Sequence, residues 1–246
     1  MGEAILIKAL GGAGGSGSEG NSTGTASEGI ITANGFYTCT KTGNYQITCI
    51  GGGGGGGAGG GKWLNDSSED ESDWSWHWMI PSAGGSGYMN VINTTLYQNQ
   101  SYSIIIGEGG SSGAYYAYNS YSNIWNGGNG GITSFSDIVS ANGGTGGKST
   151  KQLKSSKGGS GFNAGQDGWA ADYNSGYTNM LDETNAQGNR RLGGTLFYYD
   201  ATVYNNQISN TNRLYYGDGG DSIYTTAKNS YGNAGNAGCV LIKYLG

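Results

Sequence analysis

Residues 51–57 are seven consecutive glycines, and they follow directly on the alternating stretch Tyr45-Gln46-Ile47-Thr48-Cys49-Ile50. A half-buried strand pattern ends there, and a segment without side chains begins. Glycine loses more backbone entropy on ordering than any other residue. A chain with 52 glycines in 246 residues must recover that loss through close backbone packing or stay disordered. Further glycine clusters stand at 11–15, 107–110, 127–131, 143–147, 158–161 and 217–220, and Gly232, Gly235 and Gly238 recur at a period of three. That period is the repeat of a left-handed extended helix with three residues per turn. Such helices stack side by side when glycine faces each neighbour. A flexible linker would have monotonous Gly-Ser composition, whereas here strand-like stretches and tyrosines lie between the clusters. Collagen would need a continuous glycine repeat rich in proline, and Pro81 is the sole proline.

Aliphatic residues are few, charged residues make up 12%, and the net charge is −5. Neither a large conventional core nor the high charge of a disordered chain follows. The composition points to a fold held by backbone hydrogen bonds and aromatic packing. An acidic balance argues against nucleic acid, which needs a basic stripe. The run Lys148, Lys151, Lys154 and Lys157 reads as a solvated loop.

The fold class expected is all-β: short antiparallel strands and hairpins, glycine-rich extended segments of the polyglycine II kind, and long surface loops. Ala4–Leu10 reads as a short strand, and residues 1–28 as a strand followed by a Gly/Ser-rich attachment segment. Residues 29–246 read as one glycine-rich β domain with insertions at 62–81, 111–126 and 166–216. Ile30–Thr40 and Tyr45–Ile50 are expected to form a hairpin around Lys41-Thr42-Gly43-Asn44. Val91–Leu96 and Ser101–Ile106 are expected to form a second around Tyr97-Gln98-Asn99-Gln100. Ile132–Ala141 holds a strand pair, and Cys239–Tyr244 a closing strand. Met180–Gln187 alone has moderate helical composition.

In the first hairpin Cys39 and Cys49 point to opposite faces, or sit at least two residues apart along the strands, so free thiols are expected. Cys239 meets Cys49 only if the last strand lies beside that hairpin. No CxxC spacing exists, and no metal or cofactor is expected. No secretion signal or membrane-spanning helix is visible. An exposed Gly/Tyr/Asn-rich surface without an export signal suits a particle assembled in a host cytoplasm.

Five elements in order carry a resemblance. Ile31-Thr32-Ala33-Asn34-Gly35-Phe36-Tyr37-Thr38 leads to Tyr45–Ile50 and the heptaglycine. Then come Gln100-Ser101-Tyr102-Ser103-Ile104-Ile105-Ile106-Gly107-Glu108-Gly109-Gly110, Gly127-Gly128-Asn129-Gly130-Gly131-Ile132-Thr133-Ser134-Phe135, and Ala141-Asn142-Gly143-Gly144-Thr145-Gly146-Gly147. Asn236-Ala237-Gly238-Cys239-Val240-Leu241-Ile242-Lys243-Tyr244 ends the series. Over roughly residues 30–246 the chain resembles the glycine-rich domain of tailed-bacteriophage tail-fibre and tail-tip proteins. The resemblance implies a structural virion protein, exposed on the particle and assembled in the host cytoplasm. It implies a tail-fibre or receptor-binding component with host-recognition loops in the insertions and a host-surface glycan or protein as receptor. It also implies a homotrimer, with the N-terminal segment bound to other virion proteins. A capsid decoration or head fibre is the alternative, and a polysaccharide-degrading tailspike a second.

The insertions have their own chemistry. Trp74, Trp76 and Trp78 alternate around the sole histidine, His77, and on a strand they share a face. They make either a packed patch or a binding platform. Tyr115, Tyr116, Tyr118 and Trp125 are interleaved with Asn119 and Asn123. Tyrosine supplies rigid contact area, and small polar residues adapt around it, as in antibody recognition loops. These nine residues are the candidate receptor contacts. Catalysis has little support: a Ser-His-Asp arrangement would rest wholly on His77, and no carboxylate pair stands out for glycan cleavage. Gly15-Ser16-Gly17-Ser18-Glu19-Gly20 matches GxGxxG, but no helix follows to make a phosphate site.

Overall fold

The computed structural model describes residues 29–65, 74–79, 81–118, 121–149, 158–163, 165, 170–172, 190–191, 193–194, 198–199, 213–214, 216–225 and 229–246. The expected strand Ala4–Leu10 and the stretch Met180–Gln187 lie outside them. All regular structure among the described residues is strand.

One end is a sandwich of two four-stranded sheets. The first has the order β1 (Gly29–Ile31), β18 (Cys239–Tyr244), β3 (Gly43–Ile50) and β6 (Met89–Leu96), and the second β11 (Val139–Ala141), β10 (Thr133–Phe135), β7 (Ser101–Ile105) and β2 (Gly35–Thr38). Alternation decides which side chains enter. Tyr45, Ile47, Cys49, Val240 and Ile242 from the first sheet meet Tyr37, Tyr102, Ile104, Phe135 and Val139 from the second. Aromatic rings fill much of the space: Tyr102 stacks on Phe135 at 5.3 Å, and Tyr37 meets Tyr45 edge-on at 6.5 Å. The opposite face of the first sheet buries Ile50, Cys239 and Leu241 beneath Ile30, Met89 and Tyr216.

Both expected hairpins require correction. β2 pairs with β7, while β3 pairs with β6 and β18. The chain therefore crosses from one sheet to the other at Lys41–Thr42, and back at Tyr97–Gln100. Each reversal was legible, but its consequence was not. A crossing lets both strands bury one face against each other, which an isolated hairpin cannot do. Cys39 and Cys49 thereby share one core instead of opposite faces of a ribbon. The thiols are free, as expected. Cys239 lies beside the Cys49 strand, opposite Ile50, and belongs to the other face. The pair β10–β11 and the closing strand β18 are as expected.

Beyond the sandwich stands a bundle of extended glycine segments. Residues 51–57 run through its centre. Gly51, Gly54 and Gly57 donate their amides to Tyr88, Gly85 and Ser82; Gly52 and Gly55 donate to Gly131 and Gly128; Gly53 and Gly56 donate to Asn236 and Asn233, all at 2.9–3.0 Å. The carbonyls of Gly52 and Gly55 accept from Gly144 and Gly147, those of Gly53 and Gly56 from Gly110 and Gly113, and that of Gly54 from Gly220, at 2.7–2.8 Å. Partners repeat every third residue, the pitch of polyglycine II. Segments 82–88, 127–131 and 232–238 run against the centre and take its N–H bonds, while 107–113, 142–148 and 217–221 run with it and give theirs to its carbonyls.

The six neighbours also bond to one another in a closed ring. Gly85 donates to Thr145, Gly130 to Gly144, Gly128 to Ser111, Gly235 to Gly110, Asn236 to Asp218 and Gly84 to Gly220. Residues 158–163, 165 and 193–194 lie outside this ring, joined through Thr145 N to Ser160 O and Gly194 N to Gly84 O, both at 2.8 Å.

This packing explains the seven glycines. A Cβ at any of residues 51–57 would lie no more than 2.5 Å from a neighbour's carbonyl oxygen. Ordering a glycine costs about 0.5–1 kcal/mol more than ordering an alanine. A buried peptide group left unpaired costs about 1–3 kcal/mol, so the satisfied lattice outweighs the entropy term.

Candidate functional site

The central segment and its six neighbours have one end beside the sandwich and the other at the far end of the bundle. The central segment runs out of β3 and continues as β4 (Ala58–Asn65); β5 (Trp74–Met79) leads back into 82–88. Likewise 107–113 continues as β8 (Ala114–Tyr118), and β9 (Tyr121–Trp125) returns into 127–131. Segment 217–221 continues as β16 (Ser222–Thr225), and β17 (Asn229–Tyr231) returns into 232–238. At a rise of about 3.1 Å per residue, seven residues hold this apex roughly 20 Å from the sandwich.

Short side-chain bonds fasten the apex to the centre. Ser149 Oγ accepts from Ala58 N at 2.8 Å and donates to Trp125 O at 2.9 Å. Asn126 Oδ1 accepts from Ser149 N at 2.9 Å. Ser230 Oγ donates to Gly59 O at 2.7 Å, and Ser222 Oγ to Pro81 O at 3.0 Å. These bonds saturate the carbonyls where the glycine lattice opens into strands.

The apical strands form two main sheets. One has the order β12 (Ala170–Asp172), β5, β4, β16 and β13 (Arg190–Arg191); the other β17, β8 and β9. A small pair, β14 (Tyr198–Tyr199) with β15 (Arg213–Leu214), is separate from them, and β15 precedes Tyr216, which packs on the sandwich.

The predicted contacts divide accordingly. Trp74, Trp76 and Trp78 alternate on one strand, as expected, with Trp76 opposite Trp63 in the β4–β5 ladder. Trp63 carried no signal in the sequence, because its partner stands across the acidic stretch 66–73. Tyr116 and Tyr118 lie on β8, opposite Asn123 and Tyr121 of β9. Asn119 lies outside the described residues. Trp125 is 53% exposed.

Tyr115 is the correction. It is fully buried, and its hydroxyl has no hydrogen-bond partner. Burial raises its pKa above the ordinary tyrosine value. It is a packing residue beneath the sheet and not an accessible contact. Tyr231, absent from the predicted set, is 51% exposed and pairs with Ala114.

Among the described residues, no three His, Cys, Asp or Glu side chains converge to hold a metal ion. Among the described residues, too, no helix is long and apolar enough to cross a membrane, which leaves strand-built spans unaddressed. Trp125 and Tyr231 are the exposed aromatic side chains of the described apical strands.

No curated protein matches the chain. The glycine-rich domain family model matches residues 32–245, a span that takes in the sandwich, the bundle and the apex, and the chain belongs to this glycine-rich domain family.

Proposed function

We propose that this is a structural protein of a tailed-phage virion, a tail-fibre or receptor-binding component whose apex contacts a host-surface glycan or protein. The observation that carries the reading is the separation of sequence types along the bundle. Glycine is compulsory along 51–57 and at the inward-facing positions of its neighbours, while the strand pairs β4–β5, β8–β9 and β16–β17 open at the far end of the stem. Those inward positions tolerate no side chain, and the apex is bound by no such rule. The order of elements shared with phage tail-fibre and tail-tip domains supports the same reading, by analogy of fold. Residues 1–28 are assigned to the attachment end, in a homotrimer.

Adsorption tests the proposal. The purified chain should bind a subset of a panel of bacterial strains and block the parent phage on them. Tyr116→Ala/Tyr118→Ala/Trp125→Ala, folded as judged by thermal melting, should lose this binding. If the folded variant adsorbs as well as the parent, recognition does not lie in this insertion, and a capsid-decoration role gains. Light scattering tests the oligomer: a monomer of 25.3 kDa at high concentration counts against the trimer.

A further inference from the structure

Resting on the display reading above, we propose that Trp125 and Tyr231 are the two walls of a cleft that stacks one pyranose ring of a neutral surface glycan, with Ala114 as its floor. The β17-β8-β9 register places Tyr231 and Trp125 directly opposite Ala114, one on each side. Residues opposite one another in a ladder share a face. Both walls are about half exposed, at 51% and 53%, and Ala114 is half-buried between them.

Strand spacing is about 4.8 Å, so the two wall residues stand roughly 10 Å apart at the backbone. A saturated ring flanked by two aromatic side chains needs a separation of that order, with a small residue beneath it. A larger residue at position 114 would fill that space. Two residues further along β8, the register sets Tyr116 between Asn229 and Asn123. Beside the floor, Asn126 is already fixed through Oδ1 to Ser149 N.

The sequences of β8, β9 and β17, AYYAY, YSNIW and NSY, hold no charged residue. A strongly anionic polysaccharide or a charged peptide would find no counter-ion in this row. A neutral sugar needs none, since its C–H face takes the aromatic ring and its hydroxyls take the amides.

An array of neutral bacterial O-antigen and core oligosaccharides, read with the full chain, tests the cleft. At least one glycan should bind. Trp125→Ala and Tyr231→Ala should each weaken it roughly thirty-fold, the effect of losing a central aromatic contact. Ala114→Leu should abolish binding while both walls remain, and Trp125→Phe and Tyr231→Phe should keep most of it. Thermal melting of each variant separates lost folding from lost contact. No glycan bound, or a glycan bound equally by folded Ala variants, overturns the cleft. Adsorption to the bacterial panel distinguishes the two ideas. Binding that resists periodate and is destroyed by protease treatment of the cells keeps the display role and sinks the cleft. Failure to adsorb to any strain, with array binding intact, keeps the cleft and sinks the display role.

Discussion

The amide of Gly53 donates to the carbonyl of Asn236 at 2.9 Å, across 183 positions of sequence. The bond joins the central segment of the bundle to the last segment of the chain. Its counterpart three residues on, Gly56 to Asn233, repeats it. The centre is therefore complete only when the C-terminal segment 232–238 has docked.

Amide exchange should reflect this closure. Residues 51–57 belong to no helix or sheet, yet their N–H groups are bonded and buried. They should exchange on the timescale of global unfolding, alongside Ile47 and Cys49. Exchange at free-peptide rates, read by NMR or mass spectrometry, would mean that the bundle is open in solution.

Neighbouring positions of one segment should respond oppositely to mutation. A Cβ at Gly235 would collide with the Gly53 carbonyl, whereas Ala234 and Ala237 face solvent. Gly235→Val should cost at least ~3 kcal/mol, because the obstacle is backbone held on all sides. Ala234→Ser should stay within about 0.5 kcal/mol. Thermal melts of both variants check this, and equal melting temperatures would refute the packing.

The stem was legible in the sequence, and much of the sandwich was not. Gly232, Gly235 and Gly238 announced the threefold pitch, and they now face Gly56, Gly53 and Ile50, again at steps of three. The sequence also marked β3, β7, β10 and β18 as strands. Pairing is a different matter, because a turn dictates a reversal but not the sheet the chain rejoins. Asn99 sits at φ 64° in the tight turn after Tyr97, as a hairpin loop would. Long-range burial of Tyr45 against Tyr37 still sends the flanking strands to separate sheets. At the apex, alternation separates Tyr115 from Tyr116 without saying which is inside. Tyr231 carried no signal at all, since its significance lies in a register with Ala114, 117 positions earlier.

Tyr115 offers a test of that division. Its buried hydroxyl lacks a partner, so Tyr115→Phe removes a desolvated group and should be neutral or stabilising by up to ~1–3 kcal/mol. Tyr115→Ala should cost about 3–5 kcal/mol by opening a cavity. The Phe variant should also adsorb to bacteria as the parent does. Weaker binding by a folded Tyr115→Phe protein would return this hydroxyl to the contact surface.

The thiols give a pH dependence. Burial pushes Cys49 up to about 12 from an ordinary 9.0. Burial also raises Cys239, and the neighbouring Cys49 adds to the shift. A folded chain then keeps protons that the unfolded chain releases. The thiol contribution to stability is fully present below about pH 9 and is lost as pH rises from there toward 12. Each thiol steepens the decline by up to about 1.4 kcal/mol per pH unit. Chemical denaturation between pH 7 and 10 should show that decline, and a Cys49→Ala/Cys239→Ala variant should show less of it. An aromatic disulfide reagent at pH 8 should leave all three cysteines unmodified in the folded protein and titrate them in denaturant. Rapid labelling of the native chain would place a thiol at the surface, contrary to the sandwich packing.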